Sequence, residues 1–394
     1  MEARQAVTRT PYGQPIRVVS ISPEPTPYRA PLFDRIGARD DVDLFVAYSA
    51  PTVADRTWQV PLHHPHTVLP GIRLPGARRL LRHDYPITPS VLRILRRRRP
   101  DVVVVSGWST FASQAAIVWC RARRVPYVVV VESHDRDPRP GWRRAIKGTI
   151  VPGVLGHAAG VLVTGSLARE SVIARGARPD RVAVFANTVD VEAFGERADR
   201  LAARRTELRN ALGLRNGDVA VLCVARLARE KGIDTLLRAA ADAGEPAVAV
   251  LVGGGPERSP LERLSHELGL RATFAGDLPW ERIVEAYAAC DVFALLSTHE
   301  PWGVVVNEAA ACGLPLVLSD RVGAAHDLLV PGENGVLVPN GDQISATTAL
   351  RALAEDASLR ARAGEASRRI ASHWGYQPSV EAFVRLVRQA AAGD

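Results

Sequence analysis

The chain has 394 residues, of which 47% are hydrophobic and 23% are charged. This length suits two domains, and this composition is typical of a folded protein and excludes general disorder. No apolar run reaches the ~18 residues of a membrane-spanning helix. The four scattered cysteines lack CxxC pairing, which argues against a zinc site and favours a reducing cytoplasm.

The two halves of the chain differ in charge. Residues 1–194 carry 28 Arg and Lys against 16 Asp and Glu, whereas residues 195–394 carry 22 against 26. A basic first half favours contact with an anionic membrane or a phosphorylated acceptor. A coding bias toward arginine would place the same residues on ordinary solvated sites, so both interpretations stay open. Nucleic acid is not expected, because the basic stretches lack interleaved aromatic residues. The basic clusters are Arg78, Arg79 and Arg82; the four arginines at 96–99; Arg121, Arg123 and Arg124; and Arg143, Arg144 and Lys147.

The first half alternates apolar runs of strand length with helical segments. Strands are predicted at 16–21, 44–47, 102–105, 127–131 and 160–163, and helices near 88–98, 110–123, 142–155 and 167–174. This alternation predicts a parallel sheet with helices on both faces. Residues 1–14 read as a polar leader. Residues 49–86 are poorly periodic, and we expect loops there.

Two loops of the first half follow predicted strands, at the sheet edge where ligands bind. The first contains Pro23, Pro25 and Pro27 and leads to Tyr28 and Arg29. A merely structural proline turn fits this loop equally well. The second contains His134, which as an isolated residue would more often be structural. It also contains Asp135 and Asp137, a DxD pair that could hold a divalent metal or be an ordinary loop.

The second half repeats the alternation. Strands are predicted at 219–225, 248–252, 272–274, 292–296, 314–318 and 335–338, with later helices at 345–354, 359–373 and 379–388. Arg226 and Lys231 flank the loop after the first of these strands. The glycine-rich turn at 253–256 is a weak phosphate signal, and close packing explains it as well.

The stretch 291–320 predicts a strand, a loop, a helix and a second strand. The helix should begin near Gly303, where its unpaired N–H groups would attract a phosphate, and should end at Gly313. Glu308 follows Val304 by four residues and shares its face, where a carboxylate could bind a ribose diol. Val305, Ala309 and Cys312 should form the core-facing stripe. Considered alone, Glu308 could be a surface carboxylate and Glu300 a helix-start residue.

The segment EPWGVVVNEAAACGLPLVLSD, with seven residues between Glu300 and Glu308, resembles the signature of the retaining glycosyltransferases of family 4. The segments at 224–237, 251–257, 274–297 and 330–342 resemble the same family in the same order. The resemblance covers 180–372 and is weaker before residue 160. It implies the α/β GT-B fold, in which two Rossmann-like parallel-sheet domains face an interdomain cleft.

The resemblance also implies a division of the chain. Residues 15–192 would form an N-terminal acceptor-binding domain, 193–372 a C-terminal domain for the nucleotide sugar, and 373–394 a helix that crosses back to the first domain. The turn FANTVD at 185–190 resembles the family's interdomain turn, with Thr188 in place of a glycine. A linker is therefore expected near 190–200.

Roles for individual residues follow from the same resemblance. Arg226 and Lys231 would grip the donor diphosphate, Glu308 would bind the ribose, Glu300 would contact the sugar, and His134 would face the reacting centre. The other donor-binding positions are Gly276, Pro301, Trp302, Gly303, Val304 and Val305. The family often carries two glycines where this chain has the proline-rich loop, so the phosphate contact of that loop is not expected here. The resemblance instead implies that Tyr28 and Arg29 lie on the acceptor side of the cleft and that residues 49–86 hold acceptor-specific loops. No metal and no cofactor other than the donor substrate are expected, which favours the loop interpretation of the DxD pair.

The implied activity is retaining, metal-independent transfer of a sugar from a UDP- or GDP-sugar to an acceptor hydroxyl. The acceptor could be lipid-linked, and glycolipid, cell-surface polysaccharide and secondary-metabolite biosynthesis all stay open. The expected location is the cytoplasm, with peripheral contact at the inner membrane face as an option. The alternative that is not an enzyme is a non-catalytic nucleotide-binding scaffold with the same fold. A pyridoxal-dependent phosphorylase would need a Schiff-base lysine, and only Lys231 could serve.

Overall fold

The computed structural model describes residues 14–52, 60–73, 85–135 and 141–393, apart from the side chains at 141–147, 149, 280 and 281. Most of the predicted 1–14 leader, the Arg78, Arg79 and Arg82 cluster, and Asp137 therefore lie outside the described residues. So do the side chains of Arg143, Arg144 and Lys147. Within the described residues, no helix is long and apolar enough to cross a membrane.

The first domain is built on a seven-stranded sheet in which every pair is parallel. Its strands are β1 Ile16–Ser22, β2 Val42–Tyr48, β3 His66–Val68, β4 Val102–Ser106, β5 Tyr127–Val131, β6 Gly160–Val163 and β7 Val182–Val184. The spatial order is β3-β2-β1-β4-β5-β6-β7. The predicted strands are confirmed, while the short edge strands β3 and β7 are additions.

Five helices flank this sheet within the described residues: α1 Ala30–Gly37, α2 Ser90–Arg98, α3 Phe111–Arg123, α4 Gly141–Gly156 and α5 Ser166–Ile173. Helices α2 to α5 share one hydrophobic core on one face, and α1 packs into a separate core on the other. Thr110 explains where α3 begins, because its hydroxyl accepts a hydrogen bond of 3.1 Å from the Ser113 N–H and caps the helix.

The second domain holds a six-stranded, all-parallel sheet. Its strands are β8 Val219–Val224, β9 Ala247–Val252, β10 Ala272–Gly276, β11 Val292–Leu295, β12 Leu316–Ser319 and β13 Gly335–Val338. The spatial order is β10-β9-β8-β11-β12-β13. Strands β8, β9, β11 and β12 are buried runs rich in Val, Leu and Ala, as in sheets that are covered on both faces, whereas β10 is half-buried.

The helices of this domain are α6 Val191–Leu201, α7 Arg205–Ala211, α8 Ile233–Ala243, α9 Arg258–Glu267, α10 Trp280–Ala289, α11 Val304–Ala311, α12 Ala325–Leu328, α13 Gln343–Glu355 and α14 Ala357–Ala371. The segment near 190–200, where a linker is expected, is helical in the structure and forms α6. Asp190 caps α6 at the Ala193 N–H, and Phe194 and Ala198 pack into the core of the second domain. An amphipathic pattern therefore continues directly from the interdomain turn.

The last helix, α15 Tyr376–Ala392, packs on the first domain rather than the second. Phe383 is fully buried there, with its ring centroid 5.4 Å from that of Phe185. Gly160 permits this contact, because a Cβ at that position would lie 2.7 Å from the Leu386 side chain. The chain thus crosses between the domains twice, at residues 185–190 and again at 372–376.

A buried polar network joins the domains beside the first crossing. The Asn307 amide donates a hydrogen bond to the Thr188 hydroxyl at 3.3 Å and accepts one from the Trp302 indole N–H at 3.1 Å. The Thr188 hydroxyl in turn donates to the Trp374 carbonyl. Asn307 and Thr188 are fully buried, so losing any member would leave buried polar groups unpaired. Thr188, the position where the family has glycine, is part of this network.

Candidate active site

The candidate site lies where the strand order of the second sheet reverses. From β8 the chain adds β9 and β10 on one side and then returns to place β11 on the other side of β8. The carboxyl ends of two strands that diverge in this way form a crevice that binds ligands in open α/β sheets. Arg226 and Lys231 follow β8, and Glu300 and Gly303 follow β11, so the sequence-predicted residues meet at this crevice.

Lys231 and Glu300 form an ion pair across the crevice. The Lys231 Nζ lies 2.5 Å from the Glu300 Oε2, and both side chains are largely buried. Arg226 is exposed, and no carboxylate of the described part of the chain pairs with it. The crevice therefore holds one cation that is free to meet an anion and one whose charge is balanced by a carboxylate.

Glycines allow the two loops of the crevice to touch. Gly232 adopts a φ of +60°, and a Cβ there would lie 2.1 Å from the Leu296 carbonyl oxygen. The Thr298 N–H donates a 2.9 Å hydrogen bond to the Glu230 carbonyl, which stabilises the same contact between the two loops. Gly253 likewise has a φ of +130° and packs on the Ala225 carbonyl. The glycine-rich turn thus supports the loop of Arg226 by close packing.

Helix α11 presents its amino end to the crevice. Gly303 precedes the helix with a φ of +92°, and the helix begins at Val304, which agrees with the predicted start. The first N–H groups of a helix have no partner within it, and the helix dipole makes this end attractive to anions. Val304 and Val305 are half-buried. Val305 packs against the core of the second domain together with Ala309 and Cys312, as predicted, although Val306 is the more deeply buried residue at this point of the helix.

Glu308 lies one turn further along α11 and is held by a tyrosine. The Tyr287 hydroxyl donates to the Glu308 Oε2 at 2.7 Å, and Tyr287 itself is buried. Burial raises the pKa of the Glu308 carboxyl to about 7, although the Tyr287 hydrogen bond acts in the opposite direction. The pKa of Tyr287 is raised well above its ordinary value, first by burial and then by Glu308. Glu308 therefore titrates near neutral pH with one oxygen fixed in place.

Trp302 lies in the domain interface rather than at the open crevice. Its indole is 4% exposed, and its ring centroid is 5.5 Å from that of Trp374. It also fills the space above Gly165 of the first domain, where a Cβ would lie 2.3 Å from the indole. A donor contact by this side chain, as expected from the sequence, does not fit its buried position.

Pro301 and Gly276, the remaining predicted donor positions, lie at strand ends. Pro301 is half-buried in the loop after β11, and its carbonyl is covered by Gly323. Gly276 ends β10 with a φ of +72°, and its carbonyl accepts a 2.8 Å hydrogen bond from the Gly253 N–H. Its carbonyl is thereby engaged in holding the neighbouring loop.

The predicted acceptor-side arginine has a structural position. Arg29 is buried and donates to the Phe185 carbonyl at 2.9 Å and to Glu132 at 3.3 Å, with its guanidinium 4.2 Å from the centroid of the Phe185 ring. Burial lowers the pKa of Arg29, and Glu132 partly opposes that effect. The expectation that Arg29 contacts the acceptor is corrected: it fastens the loop after β1 to the interdomain turn. Tyr28, beside it, is half-buried.

His134 and Asp135 follow β5 at the carboxyl edge of the first sheet. The His134 side chain is 3% exposed, so any substrate contact would be at the inner end of the cleft. Asp135 forms a bidentate ion pair with Arg175, with a shortest distance of 2.8 Å. No cluster of three or more His, Cys, Asp or Glu side chains in the described ranges could hold a metal ion.

Two residues of this region were not identified from the sequence. Tyr287 sits in the apolar pattern of α10, and nothing in that pattern distinguishes it from an ordinary core tyrosine. Trp108 follows β4, which neighbours β1 at the point where the order of the first sheet reverses. Residues that follow a strand at such a reversal often line a ligand site, and this position is the signal that could have identified Trp108.

The carboxyl edges of the two sheets meet. The Asp327 carboxylate of α12 accepts hydrogen bonds from the Ser166 N–H, at 3.0 Å and 3.2 Å, and so caps helix α5 of the first domain. Trp302 fills the space beside this contact, above Gly165. The edge that carries the crevice of Lys231 and Glu308 therefore faces the carboxyl edge of the first sheet.

Two family models match the chain. The model of glycosyl transferases group 1 matches residues 204–370, and that of a glycosyl transferase 4-like domain matches residues 26–188. A D-inositol 3-phosphate glycosyltransferase of Xylanimonas cellulosilytica is 33% identical over 221 residues, which cover 55% of this chain and 53% of that protein. A sulfoquinovosyl transferase of Arabidopsis thaliana is 27% identical, over 72% of this chain and 55% of that protein. The chain thus spans about half the length of the curated relatives it matches.

Solved structures share the two-domain architecture. HepE of Anabaena, crystallised in complex with UDP, superposes with a TM-score of 0.72 at 21% identity, over 96% of this chain and 99% of that one. At this identity the likeness concerns the fold alone. It confirms the predicted arrangement of two Rossmann-like parallel-sheet domains.

Proposed function

We propose that this chain, whose two domains match the models of a glycosyl transferase 4-like domain and of glycosyl transferases group 1 and which has the GT-B fold, is a retaining, metal-independent glycosyltransferase that uses a UDP- or GDP-sugar. The observation that carries the proposal is the convergence of Arg226, Lys231, Glu300, Glu308 and the start of α11 on one crevice. The curated relatives include an inositol-phosphate glycosyltransferase and a sulfoquinovosyl transferase. HepE binds UDP and UDP-glucose, which favours UDP within the proposed donors.

In the proposed complex the nucleotide lies along the second domain. The N–H groups of Gly303 and Val304 donate to the diphosphate, and Arg226 supplies an unpaired positive charge beside it. Glu308, already oriented by Tyr287, accepts the ribose hydroxyls with its carboxylate. Tyr287 occupies only one of its oxygens, so hydrogen-bonding capacity remains for the ribose.

Binding of the donor would exchange the partners of the Lys231–Glu300 ion pair. A diphosphate carries more negative charge than Glu300 and would draw the Lys231 ammonium toward it. Glu300 would then be released to accept a hydroxyl of the donor sugar. The pair keeps Lys231 extended across the crevice before the donor arrives, which lowers the cost of ordering this side chain.

The reaction breaks the bond between the anomeric carbon and the diphosphate oxygen and forms a bond to an acceptor oxygen on the same face. The acceptor proton passes to the leaving diphosphate. Negative charge grows on that group in the transition state, so fixed cations beside it accelerate the reaction. His134 is proposed to face the reacting centre from the inner end of the cleft.

The acceptor is proposed to be a hydroxyl compound, lipid-linked or soluble, held by the first domain. Tyr28 and Trp108 follow β1 and β4, the two neighbouring strands at the reversal of the first sheet. They are therefore the acceptor-side residues that we propose, in place of Arg29.

Thermal unfolding with UDP, GDP, dTDP and ADP tests the donor site. A nucleotide at one hundred times its dissociation constant should stabilise the folded chain by about 2.7 kcal/mol. We expect UDP or GDP to raise the melting temperature clearly above the other nucleotides. The absence of a shift with every nucleotide would contradict the proposed site.

A non-catalytic nucleotide-binding scaffold is the second candidate. It predicts the same thermal shift, so the two candidates differ only in turnover. The Lys231–Glu300 pair favours the enzyme, because a scaffold has no need of a cation positioned at a leaving group. Nucleotide release from a nucleotide sugar separates the two.

A further inference from the structure

Three neighbouring helices of the first domain carry no acidic residue. Helices α2, α3 and α4 cover the same face of the sheet and share one hydrophobic core. Their sequences, SVLRILRRR, FASQAAIVWCRAR and GWRRAIKGTIVPGVLG, contain no Asp or Glu. The helices of the opposite face do carry carboxylates, Asp34 on α1 and Glu381 on α15. Helix α5, which shares this core, carries Glu170, so the surface without acidic residues is limited to α2, α3 and α4.

The arginines of this face gather at one edge. Helices α2 and α3 run antiparallel to the strands, so their carboxyl ends lie at the edge where the strands begin. Eight exposed arginines of α2, α3 and the residues just after them have no carboxylate partner within the described ranges: Arg93, Arg96, Arg97, Arg98, Arg99, Arg121, Arg123 and Arg124. This edge is opposite the cleft, so these charges do not belong to the donor site.

Apolar side chains are exposed on the same helices. Val118, in the middle of α3, is 67% exposed, Ile150 of α4 is 53% exposed, and Phe111 at the start of α3 is 38% exposed. A water-facing helix usually carries polar residues at such positions. Exposed apolar residues bordered by cations, with no anions between them, are typical of helices that lie on an anionic membrane surface.

We propose that the face formed by α2, α3 and α4, the acid-free face, docks on an anionic lipid bilayer. The arginines would contact lipid phosphates, and Val118 and Ile150 would enter the interface between headgroups and acyl chains. Helix α3 has 13 residues, about 20 Å, and begins where β4 reaches the cleft. A bilayer along α3 would therefore lie beside the mouth of the cleft, where a lipid-linked acceptor could enter. That last step rests on the proposed function, whereas docking itself does not.

Co-sedimentation of the full chain with lipid vesicles tests the proposal. We expect binding to vesicles of equal parts phosphatidylcholine and phosphatidylglycerol, little binding to phosphatidylcholine alone, and release by added NaCl. Charge reversal at Arg96, Arg97 and Arg123 to Glu should lower the partition coefficient roughly tenfold or more. Val118→Asp should lower it by about threefold or more, because it places a charge where an apolar side chain would insert.

Matched controls carry the same changes on other surfaces. Reversal to Glu of the exposed Arg238, Arg362 and Arg385 alters the net charge equally, and Ile344→Asp replaces an apolar residue that is 80% exposed on α13. The partition coefficients of both control variants should lie within about twofold of that of the unchanged chain. Equal losses in the controls, or no sedimentation with anionic vesicles, would overturn the proposal. So would duplex DNA binding that the Arg96, Arg97 and Arg123 reversal abolishes without any vesicle binding.

The nucleotide test separates this proposal from the proposed function. The Arg96, Arg97 and Arg123 reversal should leave the thermal shift by UDP or GDP unchanged, since these residues lie away from the crevice. Vesicle binding without any nucleotide effect would contradict the glycosyltransferase assignment alone. A nucleotide effect without vesicle binding would contradict the docking face alone.

Discussion

Replacing Glu308 with alanine is expected to weaken binding of the preferred nucleoside diphosphate by about tenfold to a hundredfold. A hydrogen bond to a charged group contributes roughly 1.5–3 kcal/mol, and the ribose would lose its acceptor. The Tyr287 hydroxyl would keep only its longer hydrogen bond, of 3.4 Å, to the Val305 carbonyl. Calorimetric titration of the nucleotide into both proteins measures the change. Glu308→Gln keeps the shape of the side chain and should show most of the same loss, which separates the charge from the packing.

The pH dependence of binding gives an independent check of Glu308. Its pKa of about 7 means that the carboxyl is neutral below that pH and ionised above it. Since the ionised form accepts both ribose hydroxyls, affinity should rise as the pH increases through 7. Tyr287→Phe removes the hydrogen bond that favours the ionised form, so the inflection should move to higher pH. A flat profile in the unchanged chain, or unaltered affinity in Glu308→Ala, would contradict the ribose contact.

Lys231→Met is expected to lower kcat by roughly a hundredfold to a thousandfold, with a smaller change in KM. The size follows from the loss of one fixed group that stabilises the charge developing in a transition state. Methionine retains most of the length of the side chain, so the crevice should keep its shape. Steady-state rates with a saturating donor and acceptor measure the effect.

Arg229→Met is the matched control for Lys231→Met. Arg229 lies two residues away in the same turn, but its side chain is 88% exposed and pairs with Glu257 on the outside of the loop. Its replacement should change kcat by less than about twofold, because exposed ion pairs contribute little. Equal losses in the two variants would indicate a disturbed loop instead of a lost diphosphate contact, and no loss in Lys231→Met would contradict the proposed role.

The strands of both sheets could be predicted because they are buried on both faces. Runs such as YVVVV at β5 and GVLV at β6 are apolar throughout, and their bounds agree with the structure. The edge strands β3 and β7 have three residues each and are partly exposed, so their pattern is too short to distinguish them from loops. Helix α6 could not be predicted separately from the linker, because its capping residue, Asp190, belongs to the turn that joins the domains.

The charged residues of the crevice could be located from the sequence, but not their partners. Lys231 and Glu300 are 69 residues apart, and each followed a predicted strand, so only the strand order brings them together. Tyr287 pairs with Glu308 from a different helix, and no local pattern signals that contact. Trp302 and Arg29 are polar or amphipathic residues in cleft loops, where exposure is the usual expectation. Their burial follows from the contact between the domains, which a local pattern does not encode.

The measurement that tests the central claim most directly is release of nucleoside diphosphate from a panel of UDP- and GDP-sugars by the purified chain. Slow donor hydrolysis requires both the donor site and the cations that stabilise the leaving group, and it needs no knowledge of the acceptor. We expect release from one donor class, at a rate that falls by at least about tenfold in Lys231→Met. No release above that of Lys231→Met with any donor, under conditions in which a nucleotide binds, would contradict the glycosyltransferase assignment and leave the scaffold.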